Sequence, residues 1–167
     1  MDETAKKTAL RMIPYGLYIL TSDHGDGRVS AATVNWVTQA SFSPPLLVVG
    51  VKADSFSLEA IRASGAFALN VLGKGQGDVA FAFFKHVEND ERTVGGQAYR
   101  VGETGAPVLE ATPAHVECKV VEIVERGDHA IVVGEVVAAG VAQEPEGRAD
   151  DATLWMRELG ERVFYGG

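Results

Sequence analysis

The residues in this chain whose types and spacing suit chemistry are mostly uncharged. In AATVNWVTQAS (31–41), extended backbone puts Thr33, Asn35, Val37, Gln39 and Ser41 on one side. Ala32, Val34, Trp36, Thr38 and Ala40 fall on the other. No charge interrupts the chain between Arg28 and Lys52. Amides and hydroxyls set among apolar groups match a flat, hydrogen-bonding ligand. A half-wet antiparallel sheet accounts for the same row. A second group is KADSFS (52–57), at the start of an expected helix. Unpaired N–H groups there, with the Ser55 and Ser57 hydroxyls and the Lys52 ammonium, suit a phosphate. Asp54 and Ser55 serve equally as ordinary helix caps. A third candidate is His129 in GDH, just after a tight turn, where it either faces a ligand or simply opens a strand.

Other chemistries are excluded or disfavoured. One cysteine, Cys118, rules out an internal disulfide, and the four histidines show no zinc spacing. A net charge of −8 disfavours nucleic acid and anionic membrane surfaces. No apolar stretch is long enough and charge-free enough to span a bilayer as a helix. The run MIPYGLYIL (12–20) holds a proline and lacks a small-residue cleavage site, so it reads as a first strand and the expected location is the cytoplasm.

These groups need elements to hold them. With 167 residues, 46% of them hydrophobic, the chain suits one domain, residues 1–167. Strands are expected at 13–21, 28–39 and 45–52, with the prolines of SFSPP stopping ladder pairing between the last two. A helix follows from Asp54 or Ser55 to Gly65. A strand covers 66–72 and a short helix 75–86, with Val79 and Phe83 on one face. Residues 87–114 form a long Gly-rich excursion with apolar residues of its own. Two long strands flank a turn at Arg126–Asp128. The aromatic tail TLWMRELGERVFYGG is expected to dock. Consecutive strands with helices as excursions favour a mainly β, largely antiparallel closed sheet of about six strands, with two or three short helices.

Taken in order, VNWVTQASFSPPLLVVGV, KADSFSLEAIRASGAFALNVL, GDHAIVVGEVV and LGERVFYGG resemble the flavin reductase-like FMN-binding domain family. The likeness covers about residues 12–140 and the last dozen. It implies a split β-barrel of Greek-key topology, a homodimer, bound FMN (with FAD possible) and reduction by NADH or NADPH. By position, Thr33, Val34, Asn35, Trp36, Val37 and Gln39 would lie along the flavin ring. Lys52, Ser55, Phe56 and Ser57 would hold its phosphate, and Asn70 would reach the cofactor or brace a strand end. His129 would stand by the flavin or nicotinamide as the catalytic group. Many relatives carry a basic residue where Phe56 stands, and Lys52 or Arg62 would have to compensate. Trp155, Phe164 and Tyr165 would cover the cofactor or cross to a partner subunit. The expected function is hydride transfer from NAD(P)H to flavin, with electrons passed onward. Its rivals are a flavin-binding electron carrier serving a redox partner protein and a barrel binding another planar ligand.

Overall fold

The computed structural model describes residues 1–167. Helix α1 (Glu3–Arg11) begins where the Asp2 carboxylate accepts the Thr4 and Ala5 N–H groups. It buries no residue, so no apolar stripe announces it in the sequence. The first strand starts later than the pattern suggests: β1 is Tyr18–Asp23. The run expected as a single strand at 28–39 is two, β2 (Val29–Val34) and β3 (Val37–Phe42), parted at Asn35–Trp36. The expected two-sided alternation through 31–41 therefore does not hold across the break. Strand β4 is Pro45–Lys52. SFSPP makes a tight hairpin, with Phe42 paired to Pro45. The prolines sit at the turn and at the first strand residue, where a missing N–H costs the ladder little.

Helix α2 (Phe56–Ser64) is framed as its sequence dictates. Ser55 caps the start and Gly65, at φ 69°, closes the end. Strand β5 is Ala66–Val71 and helix α3 is Gly77–Ala82. The excursion folds as a three-stranded sheet of β6 (Thr93–Val94), β7 (Gln97–Val101) and β8 (Pro107–Leu109). Strands β9 (Ala114–Glu125) and β10 (His129–Val141) form a long hairpin.

The principal sheet runs β2-β1-β5-β9-β10-β4-β3, and its pairings are antiparallel. It has seven strands because the expected second strand is split. The two end strands of this order are consecutive in the chain. Laid flat, they would stand about 29 Å apart at the usual strand spacing. The link through Asn35 and Trp36 spans at most roughly 11 Å. The sheet must therefore curl until the end of β2 and the start of β3 come together, a barrel split at the Asn35–Trp36 seam, where β2 and β3 stay unpaired. The Gly50 N–H donates to the Trp36 carbonyl and the Thr33 N–H to Phe83, which pins both sides of the seam.

Alternation along β1 feeds two cores. Leu20 joins a cluster with Val49, Leu58, Ile61, Phe67 and Val132. Ile19 joins another with Leu17, Phe83, Val94, Leu154 and Met156. The second cluster fixes the tail: Leu17 donates to Leu154, Leu154 to Leu72, and Met156 to Tyr15.

Candidate functional site

A cavity of about 590 Å³ opens at the seam, within the usual size of a small-ligand pocket. Its walls come from the end of β2, the end of β4, the start of α2, the segment after α3, His129 and the tail. Thr33, Val34, Asn35, Lys52, Ser55, Phe56, Ser57 and His129 line it. Trp36 stands directly behind that lining, its ring 4.6 Å from His129 and 5.4 Å from Tyr165. Gly50 makes room for it, since a Cβ there would lie 3.0 Å from Trp36 Cε3.

Three expected residues stand elsewhere. Val37 and Gln39 lie on β3 beyond the lining, and Gln39 is exposed. Asn70 is fully buried. Its Nδ2 donates to the Ile19 carbonyl and Thr21 Oγ1, both at 3.0 Å, and its Oδ1 accepts the Leu109 N–H at 2.8 Å. It ties β1 and β5 to β8. The amide type was legible in the sequence, but the partners that absorb it were not.

At the α2 end, Ser55 Oγ donates to the Lys52 carbonyl at 2.6 Å and accepts the Leu58 N–H at 3.3 Å. Ser57 Oγ and Ser30 Oγ are 2.7 Å apart in a buried pair. Both hydroxyls thus have protein partners already. The Phe56 and Ser57 N–H groups, in the first turn, have no carbonyl four residues back within the helix. N–H groups so placed, aided by the helix dipole, suit an anion. The Lys52 ammonium lies 3.0 Å from Asp54, and the hydrogen bond between them raises the lysine's pKa and lowers the aspartate's. Arg62 pairs instead with Glu125, away from the lining. The guanidinium that meets Phe56 is Arg28, 4.9 Å above its ring. His24 stacks on the same ring at 5.4 Å, and His86 meets it edge-on at 5.8 Å. Lys85 and His86 also line the cavity. Nothing in the spacing of residues 24, 28, 56 and 86 foretells this cluster, because the β1–β2 turn, the start of α2 and the segment after α3 deliver its members.

At the seam end, His129 Nδ1 lies 2.9 Å from Asp128 Oδ1 and Nε2 lies 2.7 Å from the Tyr165 hydroxyl. The hydrogen bond to His129 holds the Asp128 carboxyl below its ordinary pKa. Burial raises that of Tyr165. Asn35, 4% exposed, donates from Nδ2 to the Tyr165 carbonyl at 2.9 Å. Apolar walls, amide and imidazole groups at one end, and helix N–H groups at the other suit a planar ring carrying an anionic arm. An FMN-sized group fits that set: apolar cover for the ring, hydrogen-bonding groups for its pyrimidine edge and an anion site for its phosphate.

The comparisons agree with this geometry. The sequence matches the flavin reductase like domain over residues 10–159, and the chain belongs to that family. It is 34% identical over 137 residues to a probable flavin reductase of Rhizobium meliloti, covering 82% of this chain and 43% of that one. It thus spans less than half of that relative. A flavin reductase of Pseudomonas putida is 32% identical over 151 residues, covering 90% and 84%. Among solved structures, an NADH:FAD oxidoreductase of Streptomyces globisporus superposes with a TM-score of 0.68 at 32% identity, covering 77% and 76%.

Proposed function

We propose that the protein is a flavin reductase, an oxidoreductase that binds FMN or FAD and accepts hydride from NADH or NADPH. The observation that carries this reading is one cavity with two unlike ends, in a chain of this family. The Phe56 and Ser57 N–H groups, with Lys52, would hold the flavin phosphate. Apolar groups of β2 and the segment after α3 would cover the ring, and Asn35 Oδ1 would accept the N–H of its pyrimidine edge. When bound, the flavin supplies the redox chemistry itself. The chain must shield the reacting faces from water and hold them in register. His129, positioned by Asp128, stands where it can orient a nicotinamide or stabilise charge on the reduced ring.

Reduced flavin would then serve a further acceptor or a partner enzyme. One solved relative is the flavin reductase component of a two-component tryptophan halogenase. A homodimer is part of the same reading. Phe42 is 94% exposed on the edge strand β3, and edges of this kind call for cover. We place it as one domain working in the cytoplasm.

The test is direct. Purified protein given FMN should turn yellow and, without oxygen, bleach on addition of NADH or NADPH. A yellow protein that neither nucleotide bleaches would be an electron carrier instead. A protein that ignores flavin would defeat both readings.

A further inference from the structure

Trp36 Nε1 is a buried donor with no hydrogen-bond partner. An unpaired buried N–H is costly, so it marks either strain or a missing acceptor. Gly166 lies over it: a Cβ on that glycine would be 3.3 Å from Nε1. The two neighbouring polar groups are already taken by the same stretch of chain. The Tyr165 carbonyl holds Asn35 Nδ2 at 2.9 Å, and the Tyr165 hydroxyl holds His129 Nε2 at 2.7 Å. Residues 164–166 thus engage two of three hydrogen-bonding groups at the seam and leave the third unsatisfied.

The stretch is lightly held. Phe164 is 52% exposed and Tyr165 is 49% exposed. Beyond the two seam bonds and the Tyr165 ring lying 5.4 Å from Trp36 and 5.8 Å from His129, Arg11 reaches the Gly166 carbonyl at a long 3.4 Å and lies 4.6 Å over the Phe164 ring. The stretch is also a partition. Val163, Phe164 and Tyr165 line the 590 Å³ cavity on one side and a separate 440 Å³ cavity on the other. That second space gives the segment room to withdraw.

We propose that Phe164–Gly166 is a displaceable strap occupying the hydride donor's subsite, and that a nicotinamide carboxamide takes over the groups it now holds and adds Trp36 Nε1. This rests on reading the cavity as a flavin reductase site. A primary carboxamide beside a planar ring brings one carbonyl acceptor and two N–H donors. The carbonyl suits the Trp36 and Asn35 donors. The N–H suits His129 Nε2 while Asp128 accepts from Nδ1. Tyr165 imitates that set with its own ring and carbonyl but does not satisfy Trp36.

The experiment uses NAD⁺ as a probe, because it carries the same carboxamide and does not reduce flavin. Calorimetry on the FMN-loaded protein compares the wild type, a chain ending at Val163, Tyr165→Ala and Trp36→Phe. The chain ending at Val163 should bind NAD⁺ about tenfold more tightly, since two hydrogen bonds no longer have to be broken first, and Tyr165→Ala, which keeps the backbone carbonyl on Asn35 and loses only the hydroxyl bond to His129, about threefold more tightly. Trp36→Phe should bind it about fivefold more weakly. The FMN dissociation constant should stay within about twofold throughout. Weaker NAD⁺ binding after loss of the strap would overturn the proposal, because the segment would then be part of the binding surface. Tighter FMN binding with NAD⁺ unchanged would overturn it too, as would failure of every form to bind NAD⁺. NADH-driven bleaching of bound FMN, measured alongside, judges the flavin reductase reading separately.

Discussion

At the α2 end of the cavity, the helix start, its cap and its ammonium come from Lys52–Ser57. At the seam end the hydrogen-bonding groups come from Asn35–Trp36, from Asp128–His129 and from Tyr165, which stand far apart in the chain. The first end, which we propose as the anion site, is made by local backbone geometry, and α2 packs Leu58 and Ile61 into the barrel core behind it. The second is a junction of separate segments, one of them half exposed. The difference suggests a division of labour: the rigid end anchors, and the assembled end admits and releases.

That contrast can be broken by substitution. Leu58→Ala should have the largest effect, lowering stability by about 3 kcal/mol in denaturant unfolding, because a fully buried side chain leaves a void. His129→Ala should slow flavin reduction in stopped flow by about a hundredfold. It should leave the FMN dissociation constant within about threefold and the unfolding midpoint unchanged. Equal losses in binding and rate would show that the two ends are not separable. Asp128→Asn should cost about tenfold in the same rate by loosening His129. The Asp128 carboxyl titrates below its ordinary pKa, so its pairing is present above the unfolded carboxylate value and is lost only as pH falls through the lower folded one. Asp128 should therefore give the rate no pH dependence between about pH 5 and 8. Ser55→Ala should destabilise the protein by about 1 kcal/mol through loss of the cap. Gln39→Ala, on an exposed position of β3, should leave FMN binding within about twofold. A larger loss would extend the ring site along that strand.

The same contrast explains what the sequence disclosed. Helix α2 was legible because Ser55, the Leu58–Ile61 pair and Gly65 are local signals. Strands β4, β5, β9 and β10 were legible because their apolar runs are bounded by turn residues. The break at Asn35–Trp36 was hidden, since residues 28–39 keep a strand-like composition through it and only barrel closure demands the bend. Helix α1 was missed because it buries nothing. At the site, Lys52, Ser55, Ser57 and His129 could be proposed from position and family likeness. Arg28 over Phe56 could not, nor could the capture of Asn70 by Leu109. Those depend on which loops meet in space, and no periodicity carries that information.

On the proposed function, one cavity binds flavin with its ring at the seam and its phosphate at α2. A crystal structure of the protein with FMN tests it most directly. The ring should lie against Asn35 and His129, with the phosphate on the Phe56 and Ser57 N–H groups. Flavin lodged in the 440 Å³ cavity behind the tail, or a phosphate far from α2, would contradict it.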